Sequence, residues 1–374
     1  MAKTKKRTAA ATAAGAGFRA RARMYRHGLG DCHLIELPRS DDPGRSYFIM
    51  IDCGVILGTP NPASLMTDVV NDIIEKTNGH VDLLIVTHEH GDHVSGFIQA
   101  NEAFRNLKVG EIWFAWTEDP DDPLARKLGA AKEEALKALR FAAGRQSLAG
   151  DAGVDELANL LEFFQVGKGA STRDAMQAAR ALNPEGVRYR RPTDPPVTPD
   201  FLNGVRLFVM GPPGDERLLK RTNPSKANHE GYGLALANFM DQVGPALTGG
   251  QDGPFDPIHV IPTKIAAEMD FFKSRYWEAG KSGDGWRRID DTSFEAAEQF
   301  ALQLDSLTNN TSLVLAIELA GGDVLLFAAD AQVGNWLSWQ DLTWTIHGET
   351  VTSPDLLSQT ILLKVGQHGS TTPP

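Results

Sequence analysis

A chain of 374 residues with 48 acidic and 37 basic side chains, net charge −11, argues against a protein that clamps nucleic acid through a basic face. No apolar run approaches the length needed to span a bilayer, and two cysteines cannot staple a fold of this size. The length allows two domains and is ample for a substantial buried core.

In chain order, residues 1–17 are Ala-rich, carry Lys3, Lys5, Lys6 and Arg7, and read as a disordered basic tail. They lack the apolar centre of a secretory signal. Cys32 and Cys53 read as small buried thiols of a reducing compartment, so the expected location is cytoplasmic. Strand-like runs follow at 19–26, 31–37 and 46–52, then a helical stretch at 62–77 and a strand at 82–87. A helix over 93–104 and a strand over 110–116 come next, then helices at 124–143, 154–166 and 172–182. The first of these opens on Asp121-Asp122-Pro123, an acidic start with proline in the first turn. A strand at 204–210, a helix at 292–306 and strands at 312–319, 323–329 and 361–365 complete the order. Residues 118–200 are helix-rich without ligand-type clusters and read as an insertion. Residues 245–291, rich in Gly, Asp and Pro, read as long loops. Strands towards both ends with helices between them predict two packed sheets with helices outside.

The run Leu83 to Val86 is a short apolar strand, and Thr87-His88-Glu89-His90-Gly91-Asp92-His93 follows it directly. Neutral imidazoles and an ionised carboxylate suit a divalent transition metal, and a rigid strand can deliver them. Other strand-like runs also end in candidate groups. Tyr47 to Ile51 leads to Asp52-Cys53-Gly54, Val324 to Ala329 leads to Asp330, and Ile361 to Gln367 leads to His368. Upstream, Gly28-Leu29-Gly30-Asp31-Cys32-His33 forms a glycine turn into a strand.

His-x-His-x-Asp-His at a strand end resembles the signature of the metallo-β-lactamase superfamily. The resemblance spans roughly residues 18 to 370 and implies an αββα sandwich of two mixed sheets packed face to face, an α/β (α+β) fold. It implies His88 and His90 at one metal position, Asp92 and His93 at the second, Asp330 bridging, and His368 as the last ligand. Asp52 would orient ligands from behind. One or two Zn2+ ions are expected, with Mn2+ or Fe2+ also possible. Ligands spread from His88 to His368 must meet at one ion pair, so residues 18–374 read as one domain with insertions. The segments Asn309 to Leu315, Ala329-Asp330-Ala331 and His368-Gly369-Ser370 are similar to one branch. That branch comprises the hydrolase domain of bacterial competence DNA-uptake channel proteins and related free-standing bacterial proteins. Gln367 replaces the first of that branch's paired histidines, and Pro374 follows His368 by six residues where relatives continue. Asn310 stands where most two-metal members carry a further histidine, with His229, and behind it His259, as alternative suppliers.

The function so implied is hydrolysis by a metal-bound hydroxide, with a phosphodiesterase or nuclease as the leading reading. Asp92 would also accept the water's proton, and Asn310 and Ser370 would donate to a phosphoryl or carbonyl oxygen. The alternatives are an ester, lactone, lactam or thioester hydrolase, or a degenerate non-catalytic metal-binding domain. No Gly-x-Ser-x-Gly elbow supports a serine hydrolase. The expected partner is an anionic small molecule or nucleic-acid substrate, without stable sequence-specific DNA binding and without a membrane. Two basic clusters, Arg188, Arg190 and Arg191, and Lys220, Arg221 and Lys226, read mainly as solvated charge, with phosphate positioning as the other reading. Trp336 and Trp339 share a helical face with Trp344 beyond; such a stripe is usually core, and stacking on a substrate ring is the alternative.

Overall fold

Period-two alternation builds the first sheet. The computed structural model describes residues 17–149, 164–167, 169–222, 263–277 and 289–366, with Leu161 and Ile261. β1 (Arg21–Met24), β2 (His33–Pro38) and β3 (Ser46–Ile51) pair antiparallel. β4 (His80–Val86) and β5 (Lys108–Ala115) add in parallel. A small hairpin, β6 (Gln165–Gly167) and β7 (Ala170–Ser171), precedes β8 (Val187–Arg190), which completes a six-stranded sheet in the order β1-β2-β3-β4-β5-β8. Ile49, Ile51, Leu83, Ile85 and Trp113 point to one face of it. Met50, Leu84, Val86, Ile112 and Phe114 point to the other.

β9 (Arg206–Gly211), β10 (Val314–Glu318), β11 (Val324–Phe327) and β14 (Thr360–Lys364) form the second sheet, ordered β14-β11-β10-β9. Between β11 and β14 lie a helix over Val333–Ser338, the hairpin β12 (Thr343–Ile346) and β13 (Glu349–Thr352), and a helix over Ser353–Ser358. Leu207, Val209, Leu315, Ile317, Leu325 and Phe327 meet the inner face of the first sheet in one core. Phe208, Met210, Val314, Ala316 and Leu326 face outward onto Trp339, Trp344 and Leu356. The outer face of the first sheet packs on the helices Pro62–Thr77 and Thr172–Ala181. Met66, Val69, Val70 and Ile73 recur at helical spacing and supply the first helix's apolar stripe. The result is an α+β sandwich of two mixed sheets with helices outside.

The chain divides into two compact units, one of Met1–Arg126, Phe163–His229 and Leu307–Pro374, the other of Lys127–Glu162 and Glu230–Ser306. Both sheets belong to the first. In the second, the described residues include helices over Thr263–Glu268 and Asp270–Phe272, followed by a wider turn over Lys273–Trp277. Helix Pro123–Ala149 is longer than its sequence expectation. The tail at 1–16 lies outside the described residues, as does most of 245–291.

Three expectations are corrected. Residues 118–200 are not one insertion, because Ala175, Met176 and Ala179 of helix Thr172–Ala181 fill the core and β8 pairs with β5. The helix expected over 93–104 is three single turns, Gly91–Val94, Gly96–Gln99 and Asn101–Phe104. The reason is tertiary. Ser95 Oγ exchanges hydrogen bonds with Val55 N and O, and Gly96 N donates to Cys53 O, so the chain is pinned to the loop after β3. Of the helix expected over 154–166, Gln165 onward is strand.

Candidate metal centre

Strand ends place the site. β4 is central in its sheet and entirely buried over Leu83–Val86, so the chain leaving it emerges at a fixed point. His88, His90, Asp92 and His93 follow within that buried loop. β3, parallel to β4, delivers Asp52 beside them, and β11 delivers Asp330 from the other sheet. Asp52 and Ala329 adopt left-handed φ values of 56° and 47°, sharp turns directly at the ends of their strands.

Two glycines let the loops nest. A Cβ on Gly54 would lie 2.4 Å from the Asp92 carbonyl carbon and 2.5 Å from that of His93. Gly30, at φ 150°, would place a Cβ 2.3 Å from Gly54 O. The stacked turns are joined by Asp31 N to Asp92 O, 2.9 Å, Cys53 N to His93 O, 2.8 Å, and Gly54 N to Asp31 O, 3.0 Å. The glycine motifs therefore form the floor under the histidine loop.

Hydrogen bonds then fix the imidazoles. Asp52 accepts from Thr87 N at 2.8 Å, Thr87 Oγ1 at 2.7 Å and His93 Nδ1 at 2.8 Å. A carboxylate only accepts, so His93 Nδ1 carries a proton and Nε2 faces Asp330 Oδ2 at 3.3 Å and Asp92 Oδ2 at 3.8 Å. Thr87 Oγ1 donates its hydrogen bond to Asp52 Oδ2, so at 3.1 Å from His88 Nδ1 it accepts. Ser312 Oγ lies 3.2 Å from the same nitrogen. His88 Nε2 is thereby left as the basic nitrogen, 3.1 Å from His90 Nδ1. Thr87 and Ser312 were missed at the sequence level, although each adjoins or sits within a quoted motif.

Donor atoms of His88, His93 and Asp330 lie within 4.8 Å of one another, all buried. Two imidazole nitrogens and a carboxylate oxygen suit zinc, and also manganese or iron. Burial alone would lower the His93 pKa, but the carboxylates of Asp330, Asp92 and Asp52 outweigh it and hold it well above the usual value. Asp330 responds inversely: burial would raise its pKa, and His93 and then His88 pull it well below the usual range. The two groups therefore favour each other's charged form, and a cation held there would compete with a proton on His93.

Asp31, Asp52 and His93 form a second group of metal-ligand type. Its chemistry differs, because protein donors already occupy it. Lys364 Nζ contacts Asp31 Oδ2, and the three donors named above fill Asp52. Burial would raise the Asp31 pKa, yet His33, His93 and Lys364 hold it well below the usual carboxylate range. This group has its cation in Lys364, and it supports the first group from behind.

The structure thus brings together His88, His90, Asp92, His93, Asp330 and Asp52. Asn310 is a correction. Its Nδ2 donates to Leu218 O at 2.8 Å and Leu219 O at 2.7 Å, and its Oδ1 accepts from Asn335 N at 2.9 Å. It ties a loop down, and its amide donors are spent. Asn309, one residue earlier, is the one at the site, with Oδ1 2.9 Å from His90 Nδ1. His229, His259, Gln367, His368 and Ser370 lie outside the described residues.

The tryptophan stripe is largely core. Trp339 and Trp344 are buried and donate to Asn335 Oδ1 and Pro192 O, while the half-buried Trp336 donates to Ala331 O. Arg190 stacks 4.2 Å over Trp113, and Arg191 bonds Asp122 at 2.6 Å. Arg188 donates to the carbonyls of Glu185 and Val187, and Lys220 pairs with Glu216 at 2.6 Å. These cations serve their own loops and strand. Lys226 lies outside the described residues. No helix among the described residues is long and apolar enough to cross a membrane. No family model, curated protein or solved structure matches the chain.

Proposed function

We propose that the protein is a metal-dependent hydrolase of the metallo-β-lactamase type, acting on phosphodiesters, nucleic acid among them, with one or two Zn2+ ions or Mn2+ or Fe2+ in their place. The observation that carries the reading is the convergence of His88, His93 and Asp330 from the ends of strands in two different sheets into one buried group. A divalent ion there supplies Lewis acidity and lowers the pKa of a water molecule towards neutrality. The chain's own residues do the rest. Asp52 orients His93, Thr87 and Ser312 orient His88, and Asp330 and Asp92 present carboxylates to the same space. Asp92, whose Oδ2 lies 3.8 Å from His93 Nε2, would be the acceptor for the proton of the attacking water. The preference for phosphodiesters rests on the likeness of Asn309 to Leu315 and Ala329-Asp330-Ala331 to the DNA-uptake branch.

The test is cleavage of labelled single-stranded DNA and of a chromogenic phosphodiester with added zinc or manganese, beside Asp92→Asn and His88→Ala. Metal-dependent cleavage lost in both variants supports the reading. Unchanged rates in either variant refute the mechanism. Cleavage of carboxylic esters but not phosphodiesters moves the substrate class, and bound metal without any hydrolysis makes the centre a binding site.

A further inference from the structure

Asn309 meets the histidine loop with a neutral amide oxygen. It closes helix Ile289–Asn309 and is 5% exposed. Its Oδ1 lies 2.9 Å from His90 Nδ1, which in turn lies 3.1 Å from His88 Nε2. Both spacings are hydrogen-bond distances, shorter than the about 3.3–3.6 Å between ligand atoms about 2.0–2.2 Å from a tetrahedral ion, so each pair would open by a few tenths of an ångström to admit one. The neighbouring residues hold this amide in place. Asn310 is anchored through Leu218, Leu219 and Asn335, Ser312 N donates to Asn309 O at 3.0 Å, and Ser312 Oγ reaches back to His88 Nδ1. Asn310 therefore fixes the backbone, and Asn309 extends its side chain to the imidazoles.

We propose that Asn309 Oδ1 is the third protein donor to a divalent cation at His88 Nε2 and His90 Nδ1, an inference that rests on the metal-dependent reading above. A carboxamide oxygen is uncharged and harder than imidazole nitrogen. It therefore holds the ion weakly, and it shifts preference from zinc towards manganese relative to a histidine at the same place. Asn309 in this role sets which metal the centre keeps and how readily it exchanges.

The experiment uses the full chain, freed of metal by a chelator and titrated with Co2+ and, in competition, with Zn2+ and Mn2+. Bound metal is counted, and the Co2+ ligand-field absorption is recorded. Asn309→His is expected to move the Co2+ bands and to tighten Zn2+ relative to Mn2+ by about tenfold or more. Asn309→Ala is expected to weaken one equivalent of metal by about 10–100-fold, with altered Co2+ bands. If Asn309→Ala does not fold, Asn309→Asp replaces it, with tighter binding expected from the anionic oxygen. Weaker binding with unmoved bands in every variant overturns the assignment and makes Asn309 an orienting partner of His90. Wild-type affinity and spectra in every variant overturn it outright. Absence of metal uptake by the wild-type protein instead overturns the metal-dependent reading itself.

Discussion

Replacing Lys364 with Met isolates the contribution of the buried cation behind the centre. Lys364 closes β14 and is 9% exposed, and its partner Asp31 is 5% exposed. Methionine keeps much of the apolar stem and removes the ammonium. The Asp31 carboxylate is then left with His33 Nε2 at 3.7 Å and His93 Nδ1 at 3.9 Å. Removing one member of a buried ion pair costs about 3–5 kcal/mol, and the two remaining imidazoles place this case at the lower end, about 3 kcal/mol. That is a large share of a typical domain stability of about 5–15 kcal/mol. The assay is denaturant unfolding of wild type, Lys364→Met, Asp31→Asn and the double variant. The double variant should recover much of the loss, because no uncompensated charge stays buried. The dependence on pH has a defined sign. The folded pKa of Asp31 is depressed, so its stabilisation is present above the ordinary carboxylate value of about 4 and is lost as pH falls through the folded value. Without Lys364 the folded value rises, so the deficit of the variant is largest near neutrality and shrinks on acidification. A loss within about 0.5 kcal/mol at neutral pH, as for an ordinary surface change, would refute the reasoning.

Asp52→Asn should weaken metal binding by about 10–100-fold in equilibrium dialysis, because an amide cannot accept from Thr87 N, Thr87 Oγ1 and His93 Nδ1 together. Unaltered affinity would remove Asp52 from any orienting role. Gly54→Ala should lower the melting temperature, at a cost of about 1–3 kcal/mol or more, since its Cβ would meet backbone atoms of Asp92 and His93 at 2.4–2.5 Å. A melt identical to wild type would show that the loops do not nest as described.

The histidine loop was legible because its groups are neighbours in sequence, and Asp52 and Asp330 were legible because each ends an apolar run. β8 was not. Val187-Arg188-Tyr189-Arg190 is short and mostly half-exposed within a helix-rich stretch, and only its parallel register with Ile112 to Ala115 makes it a strand. Helix 93–104 was misread for the same reason: its breaks come from bonds to Val55 and Cys53, distant in sequence. Asn309 and Asn310 are identical side chains one position apart. Which one faces His90 depends on the rotation of the chain as it leaves its helix, and sequence patterning carries no signal for that.

Lys364 makes a contact more than three hundred residues long that the alternation of its strand, taken from sequence, would place on the wrong face. Along β14 the side chains alternate: Ile361 and Leu363 are exposed at 59% and 46%, and Leu362 and Lys364 turn the other way. The pattern is inverted, with two large apolar residues in solvent and an ammonium inside. A buried ammonium without a partner is too costly to keep, so the inversion by itself requires a carboxylate nearby. Asp31 meets that requirement from the opposite end of the chain, and Asp31 in turn lies beside His93. The strand's parity thus connects the two sheets through one charge pair, directly behind the residues that would hold the metal.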